Sequence, residues 1–136
     1  MKLLPAILAA ALCVAAVAAE APRVLRFAKG HSSVTVKDSV VRGETHRWSF
    51  GARAGQMATL KISAPEKNAV FQVWRPGAKL PTALGDPIDG LTLPGTGEGD
   101  DATEWHGPLP ESGNYLVVVG GTRGNASYRL TLKIEP

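Results

Sequence analysis

The chain has 136 residues, with 15 Lys+Arg against 12 Asp+Glu and a single cysteine, Cys13. That length suits one domain with a core large enough to hold without staples, and a cation excess this small and scattered excludes a nucleic-acid footprint. Cys13 falls in the leading apolar segment, so the rest of the chain carries no disulfide, no thiol nucleophile and no thiolate metal site.

Taken in chain order, the first element is a targeting segment. Lys2 precedes the apolar run "LLPAILAAALCVAAVAA", and Val17-Ala18-Ala19 puts small residues just before Glu20. This is the pattern of a secretory signal peptide over residues 1–19, cleaved after Ala19. The run is short for a transmembrane span and no second apolar segment follows. A lipoprotein signal would want Gly, Ala or Ser before the cysteine, where this chain has Leu12. The expectation is an exported domain over 20–136, without a membrane anchor.

No helical period stands out in that domain, whereas alternation of apolar and polar residues recurs. "VLRFA" and "SVTVKDSVV" are short strand candidates. In "HRWSF", Trp48 and Phe50 form an apolar face. "ATLKIS" points Leu60 and Ile62 inward and Lys61 outward. "AVFQVW" and "YLVVV" are apolar on both faces and read as central strands, with Tyr115, Val117 and Val119 sharing one face. "SYRLTLKI" alternates cleanly, with Tyr128, Leu130, Leu132 and Ile134 on one side. Turn signals separate these runs, among them Arg42-Gly43, Ala54-Gly55, Pro76-Gly77, Ser112-Gly113 and Gly124-Asn125. The expected fold is all-β, a small antiparallel β-sandwich of about seven or eight strands.

Residues of about 77–108 break this rhythm. They are rich in Gly and Pro, hold the acids Glu98, Asp100, Asp101 and Glu104, and read as one long loop with a short strand around Leu91–Leu93. A loop of this length in a compact domain is functional or mobile. The "EGDD" spacing is not an EF-hand, and a solvated acidic loop is preferred over a calcium site. Trp48 and Trp74 lie on strand patterns and are expected in the core. Trp105, in the loop run "ATEWHGPLP", either covers an end of the sandwich or stands exposed as an interface anchor.

Catalytic patterns are missing from the sequence. The three histidines are His31, His46 and His106, with no Gly-x-Ser-x-Gly elbow and no HExxH. Ser112, between Glu111 and Gly113, reads as a turn serine. The expectation is a non-enzyme without metal or cofactor. On its own, "LPESGNYLVVVGG" is a tight turn entering a core strand, in which Tyr115 can brace the turn as in the tyrosine corner of sandwiches.

The pieces "FAKGHSS", "GETHRWSFGARAGQMATLKIS", "FQVWRPG", "LPESGNYLVVV" and "YRLTLKI" stand in an order and spacing that resemble the bacterial periplasmic inhibitors of g-type (goose-type) lysozyme. "KGHSS" is the most specific of them. "AGQ" and "LP-SG-Y" also mark pre-peptidase C-terminal domains. The resemblance implies a periplasmic protein whose partner is a lysozyme, g-type first and i-type second. It implies an SGxY loop that enters the lysozyme's cleft, carried here by Ser112, Gly113, Asn114 and Tyr115. The Tyr115 ring would brace the turn while its hydroxyl faces the cleft. It further implies that Arg123, before the last strand, and the Glu44–Arg47 loop with His46 share that binding edge. Such an inhibitor would be a monomer or a weak homodimer. The alternative is a non-catalytic, pre-peptidase-like module that binds cell-wall glycan or another exported protein.

Overall fold

In the last strand of the chain, Ala126, Tyr128, Leu130 and Leu132 are buried while Ser127, Arg129 and Lys133 face solvent, so the alternation visible in the sequence is the alternation of the sheet. The computed structural model describes residues 21–81 and 86–136. The expected signal peptide lies outside the described residues. Among the described residues eight strands follow one another: β1 (Arg23–Val24), β2 (Ser33–Val40), β3 (Thr45–Ala52), β4 (Met57–Ser63), β5 (Ala69–Trp74), β6 (Glu104–Pro108), β7 (Gly113–Gly121) and β8 (Ala126–Glu135). They form two four-stranded sheets, ordered β1-β3-β7-β5 and β2-β8-β4-β6. Every strand pairing is antiparallel except that of β1 with β3. This is the expected all-β sandwich.

The core lies between the sheets. Trp48, Phe50, Phe71, Val73, Tyr115, Val117 and Val119 come from the first sheet, and Leu60, Ile62, Tyr128, Leu130 and Leu132 from the second. Each fully buried aliphatic or aromatic side chain contributes roughly 1.5–3 kcal/mol, so packing of this kind holds a chain that has no disulfide to close it.

Four expectations are corrected. "AVFQVW" is not flanked by two strands: β5 is the edge of its sheet. It reads as central because the long loop takes its free side, with the Phe71 amide donating to the Ala102 carbonyl at 2.8 Å and the Arg75 amide to the Leu91 carbonyl at 2.8 Å. This lateral cover protects an edge that would otherwise invite another chain. Second, Leu91–Leu93 forms no strand; Thr92 makes a single bridge with Trp74. Third, the long loop ends sooner than expected, because "EWHGP" is β6, paired with β4 through Leu60↔Trp105. Its Gly and Pro hide the strand from a pattern reading. Fourth, Trp74 is half-buried on the outer face, its indole N–H donating to Gln72 Oε1 at 3.1 Å. Trp105 covers the core: it is half-buried against it, and its indole donates to the Pro94 carbonyl at 3.1 Å.

Strand connections sort into two ends. The β1–β2 loop, the β3–β4 turn and the β6–β7 loop share one end, as the registers Ser33↔Lys133, Met57↔Glu135 and Ala52↔Gly113 require. The β2–β3, β4–β5 and β7–β8 connections share the other, where Val40 meets Ala126 and Ala69 meets Gly121.

Candidate interaction loop and the opposite end

The β6–β7 loop is built from its backbone upward. Leu109 is buried and locks to the β3–β4 turn through two main-chain bonds, Gly55 amide to Leu109 carbonyl and Leu109 amide to Gln56 carbonyl, both 2.8 Å. The Gln56 side chain completes that turn by accepting from the Arg53 amide at 2.7 Å. Glu111 takes an ion pair from Arg75, at the exit of β5. Ser112 Oγ accepts from the Ala54 amide at 2.9 Å, which leaves the hydroxyl proton to donate elsewhere. Gly113 has φ of 142°, and a Cβ there would lie 2.8 Å from the Cβ of Pro76. Only glycine meets both demands.

Tyr115 closes the loop from beneath. Its ring stacks on Phe50 with centroids 5.2 Å apart and planes at 10°. Its hydroxyl donates to the Glu111 carbonyl at 2.7 Å and accepts from the Glu111 amide at 3.0 Å. The side chain is 1% exposed. The expectation that this hydroxyl faces a cleft is therefore corrected, because its hydrogen-bonding capacity is spent on the turn. Burial pushes the phenol above its ordinary value, with the Glu111 backbone bond acting the other way. Ser112 and Asn114 are exposed and Gly113 is half-buried.

The segments "AGQ", "WRPG" and "LPESGNY" thus meet at one end, and "KGHSS" joins them there. In "KGHSS" the His31 amide donates to the Ala28 carbonyl at 2.9 Å, and the Ser32 carbonyl accepts from the Ile134 amide at 2.9 Å. The partners Ala54, Arg75, Pro76 and Glu111 were not singled out in the sequence. The turn pairs Ala54-Gly55 and Pro76-Gly77 were the available signal, but they do not say which turns touch.

Arg123 and His46 lie elsewhere. Both sit at the opposite end, so the single binding edge expected from the resemblance does not form. Between His46↔Val119 and Ala52↔Gly113 the ladder advances six residues, about 20 Å at roughly 3.3 Å per residue. The exposed Arg123 donates to the Glu66 carbonyl at 2.6 Å, and its own carbonyl accepts from the buried Asn68 side chain at 3.0 Å. His46 belongs to an internal network. The indole of Trp48 donates to the Tyr128 oxygen at 3.0 Å, and Tyr128 meets His46 Nδ1 at 2.7 Å. An indole can only donate, so the phenol proton is free for His46 Nδ1. Asp38 stands 3.8 Å from that nitrogen and pairs with Arg23 at 2.7 Å, while the Arg23 guanidinium lies 3.9 Å over the Trp48 ring. The Ser39 amide first, and Arg23 after it, hold the Asp38 carboxyl below its ordinary value.

Two acids of the acidic stretch are engaged locally. Asp100 accepts from the Gly97 amide at 2.8 Å, and Glu104 faces Lys61 at 3.5 Å. Among the described residues no three His, Cys, Asp or Glu side chains come together as metal ligands would.

Solved structures with the same architecture place this geometry in context. Aeromonas hydrophila PliG, a periplasmic lysozyme inhibitor of g-type lysozyme, is 31% identical, with 84% of this chain and 96% of that one covered and a TM-score of 0.63. Salmonella Typhimurium PliG, likewise a periplasmic inhibitor of g-type lysozyme, is 20% identical over 86% of this chain and 100% of its own, with a TM-score of 0.60. The pre-peptidase C-terminal domain of a Bacillus anthracis collagenase, 13% identical over 85% and 99% at a TM-score of 0.50, shares the fold alone. No protein-family model matches the chain, and no curated protein sequence does.

Proposed function

The chain belongs to the family of periplasmic inhibitors of g-type lysozyme, and from that membership we propose that it is an exported, non-enzymatic inhibitor that plugs the active-site cleft of a g-type lysozyme with its Ser112 loop. One observation carries this reading. Ser112 and Asn114 are exposed on a turn tied at three points: the Ser112 hydroxyl to the Ala54 amide, the Glu111 carboxylate to Arg75, and the Glu111 carbonyl to Tyr115. A loop ordered before binding loses little entropy on binding. A glycosidase cleft offers a carboxyl pair and room for a sugar chain. The free proton of Ser112 suits such a carboxylate, and Gly113 lets the backbone approach closely. Tyr115 serves this loop as its brace.

A second reading keeps the same partner and changes the docking end. Arg123 is exposed at the opposite end, where its guanidinium could bond an acidic residue of the lysozyme. His46 is less suited to that role, being half-buried and held by Tyr128.

The test is an inhibition panel. The mature protein is titrated into peptidoglycan hydrolysis by goose-type, invertebrate-type and chicken-type lysozymes. Inhibition of the goose-type enzyme is expected; full activity of all three at micromolar excess overturns the proposal. Ser112→Ala with Asn114→Ala, compared with Arg123→Ala, then decides between the ends.

A further inference from the structure

The face of the first sheet that looks away from the core carries a cleft of about 410 Å³. The registers set Arg47, Val118 and Gln72 in one row across β3, β7 and β5. Thr45 and Trp74 flank that row, and Asp86 and Glu98 of the long loop line the same cleft. This explains why β7 is apolar on both faces: Val118 looks toward the loop, not toward open solvent.

Three features make the cleft more than a crease. The Nη1 of Arg47 is buried and has no hydrogen-bond partner among the described residues. A buried N–H left unpaired is costly. Nη1 itself is screened from solvent, so the half-buried side chain, which lines the cleft, must turn toward a ligand before its fork can take a carboxylate with two parallel bonds. Asp86 and Glu98 do not supply that partner, because neither is within ion-pair distance of Arg47. The third feature is Trp74, whose ring is held in place by its bond to Gln72 Oε1 at 3.1 Å, leaving the Gln72 amide nitrogen to donate.

We propose that this cleft binds an acidic sugar, a pyranose ring that carries a carboxylate. Arg47 takes the carboxylate, Trp74 lies against the ring, and Asp86 and Glu98 accept from its hydroxyls. A phosphate sets about one to two negative charges against Asp86 and Glu98 with few hydrogens to offer them, and an apolar chain satisfies none of the polar groups. The volume is at the small end of ligand pockets, which suits a short saccharide. The site lies on the sheet face and does not involve the Ser112 loop, so sugar binding and lysozyme inhibition can fail separately.

The test follows the three tryptophan indole N–H resonances of the isotope-labelled mature protein during titration. N-acetylmuramic acid is the probe. N-acetylglucosamine is its counterpart without the lactyl carboxylate, and alanyl-glutamate is an acidic peptide control. The Trp74 resonance is expected to shift saturably with N-acetylmuramic acid, with the neutral sugar binding about tenfold more weakly, the worth of one charge-assisted bond. Arg47→Met should erase that preference, and it keeps the fold because it removes an unpaired buried group. An unmoved Trp74 resonance, equal binding of the two sugars, or equal binding of the dipeptide overturns the proposal. So does a preference that survives Arg47→Met. The wild-type titrations decide the matter even if that variant fails to fold.

Discussion

The hydroxyl of Tyr115 is bonded to both main-chain groups of Glu111, donating to its carbonyl at 2.7 Å and accepting from its amide at 3.0 Å. One phenol therefore holds the turn that carries Ser112. Tyr115→Phe keeps the stack on Phe50 but leaves those two main-chain groups without their partner. A loss of about 1–3 kcal/mol is expected, with the melting temperature falling roughly 4–8 °C for each kcal/mol. Thermal unfolding followed by circular dichroism checks this, and an unchanged melt would mean that the turn does not depend on the phenol. Tyr115→Ala should cost more, about 3–5 kcal/mol, because it also empties a core site.

Gly113 and Gly55 separate two reasons for glycine in neighbouring turns. Both have positive φ, 142° and 89°. A Cβ at Gly55 meets nothing within 4 Å, whereas one at Gly113 lies 2.8 Å from Pro76. Gly55→Ala therefore costs only backbone strain, about 1 kcal/mol, and Gly113→Ala costs that plus a displaced loop, about 2–3 kcal/mol. Urea titrations of the two variants should show this order. The reverse order would mean that the Pro76 contact is relieved at no cost.

Ser112→Ala gives up a bond to the Ala54 amide at an exposed site, a loss of about 0.5–1.5 kcal/mol in stability. If the Ser112 loop enters the cleft, inhibition should weaken by more than the loss of folded protein explains, about tenfold or beyond. Arg123→Ala should then leave inhibition nearly intact. Inhibition constants measured at matched folded fraction decide this. A large effect of Arg123→Ala with none from Ser112→Ala shifts the docking face to the opposite end.

The strands were readable where alternation was unbroken, as in β4 and β8, because burial on one face imposes it. β6 was not, since "EWHGP" owes its pairing to β4 and not to its own propensity. The division of the candidate residues was readable in principle. Ser112 precedes β7 and Arg123 follows it, and the two ends of a strand face opposite ways. The resemblance drew them onto one edge, and strand direction separates them. What no local pattern could disclose is the Arg75–Glu111 ion pair or the Ala54–Ser112 bond, which join residues 36 and 58 positions apart. The role of Tyr115 was half legible: its place at a strand start suggested a brace, but only the packing shows that its hydroxyl is fully used there.

The chain's two tyrosines, Tyr115 and Tyr128, give a pH prediction with a definite sign. Both are raised above the ordinary value of 10.0, in each case mainly by burial. For Tyr128 the Trp48 N–H works the other way and the Asp38 charge adds to the rise. The native state thus holds its phenol protons more tightly than the unfolded chain. Its tyrosine contribution to stability is complete below the ordinary value and is lost as pH rises through the folded values. Tyrosinate absorbance should therefore lag behind that of free tyrosine on an alkaline titration, then rise together with loss of the circular dichroism signal. Ionisation of both tyrosines at the ordinary midpoint with the fold intact would show that neither phenol is bound into the core as the Glu111 and Trp48 bonds require.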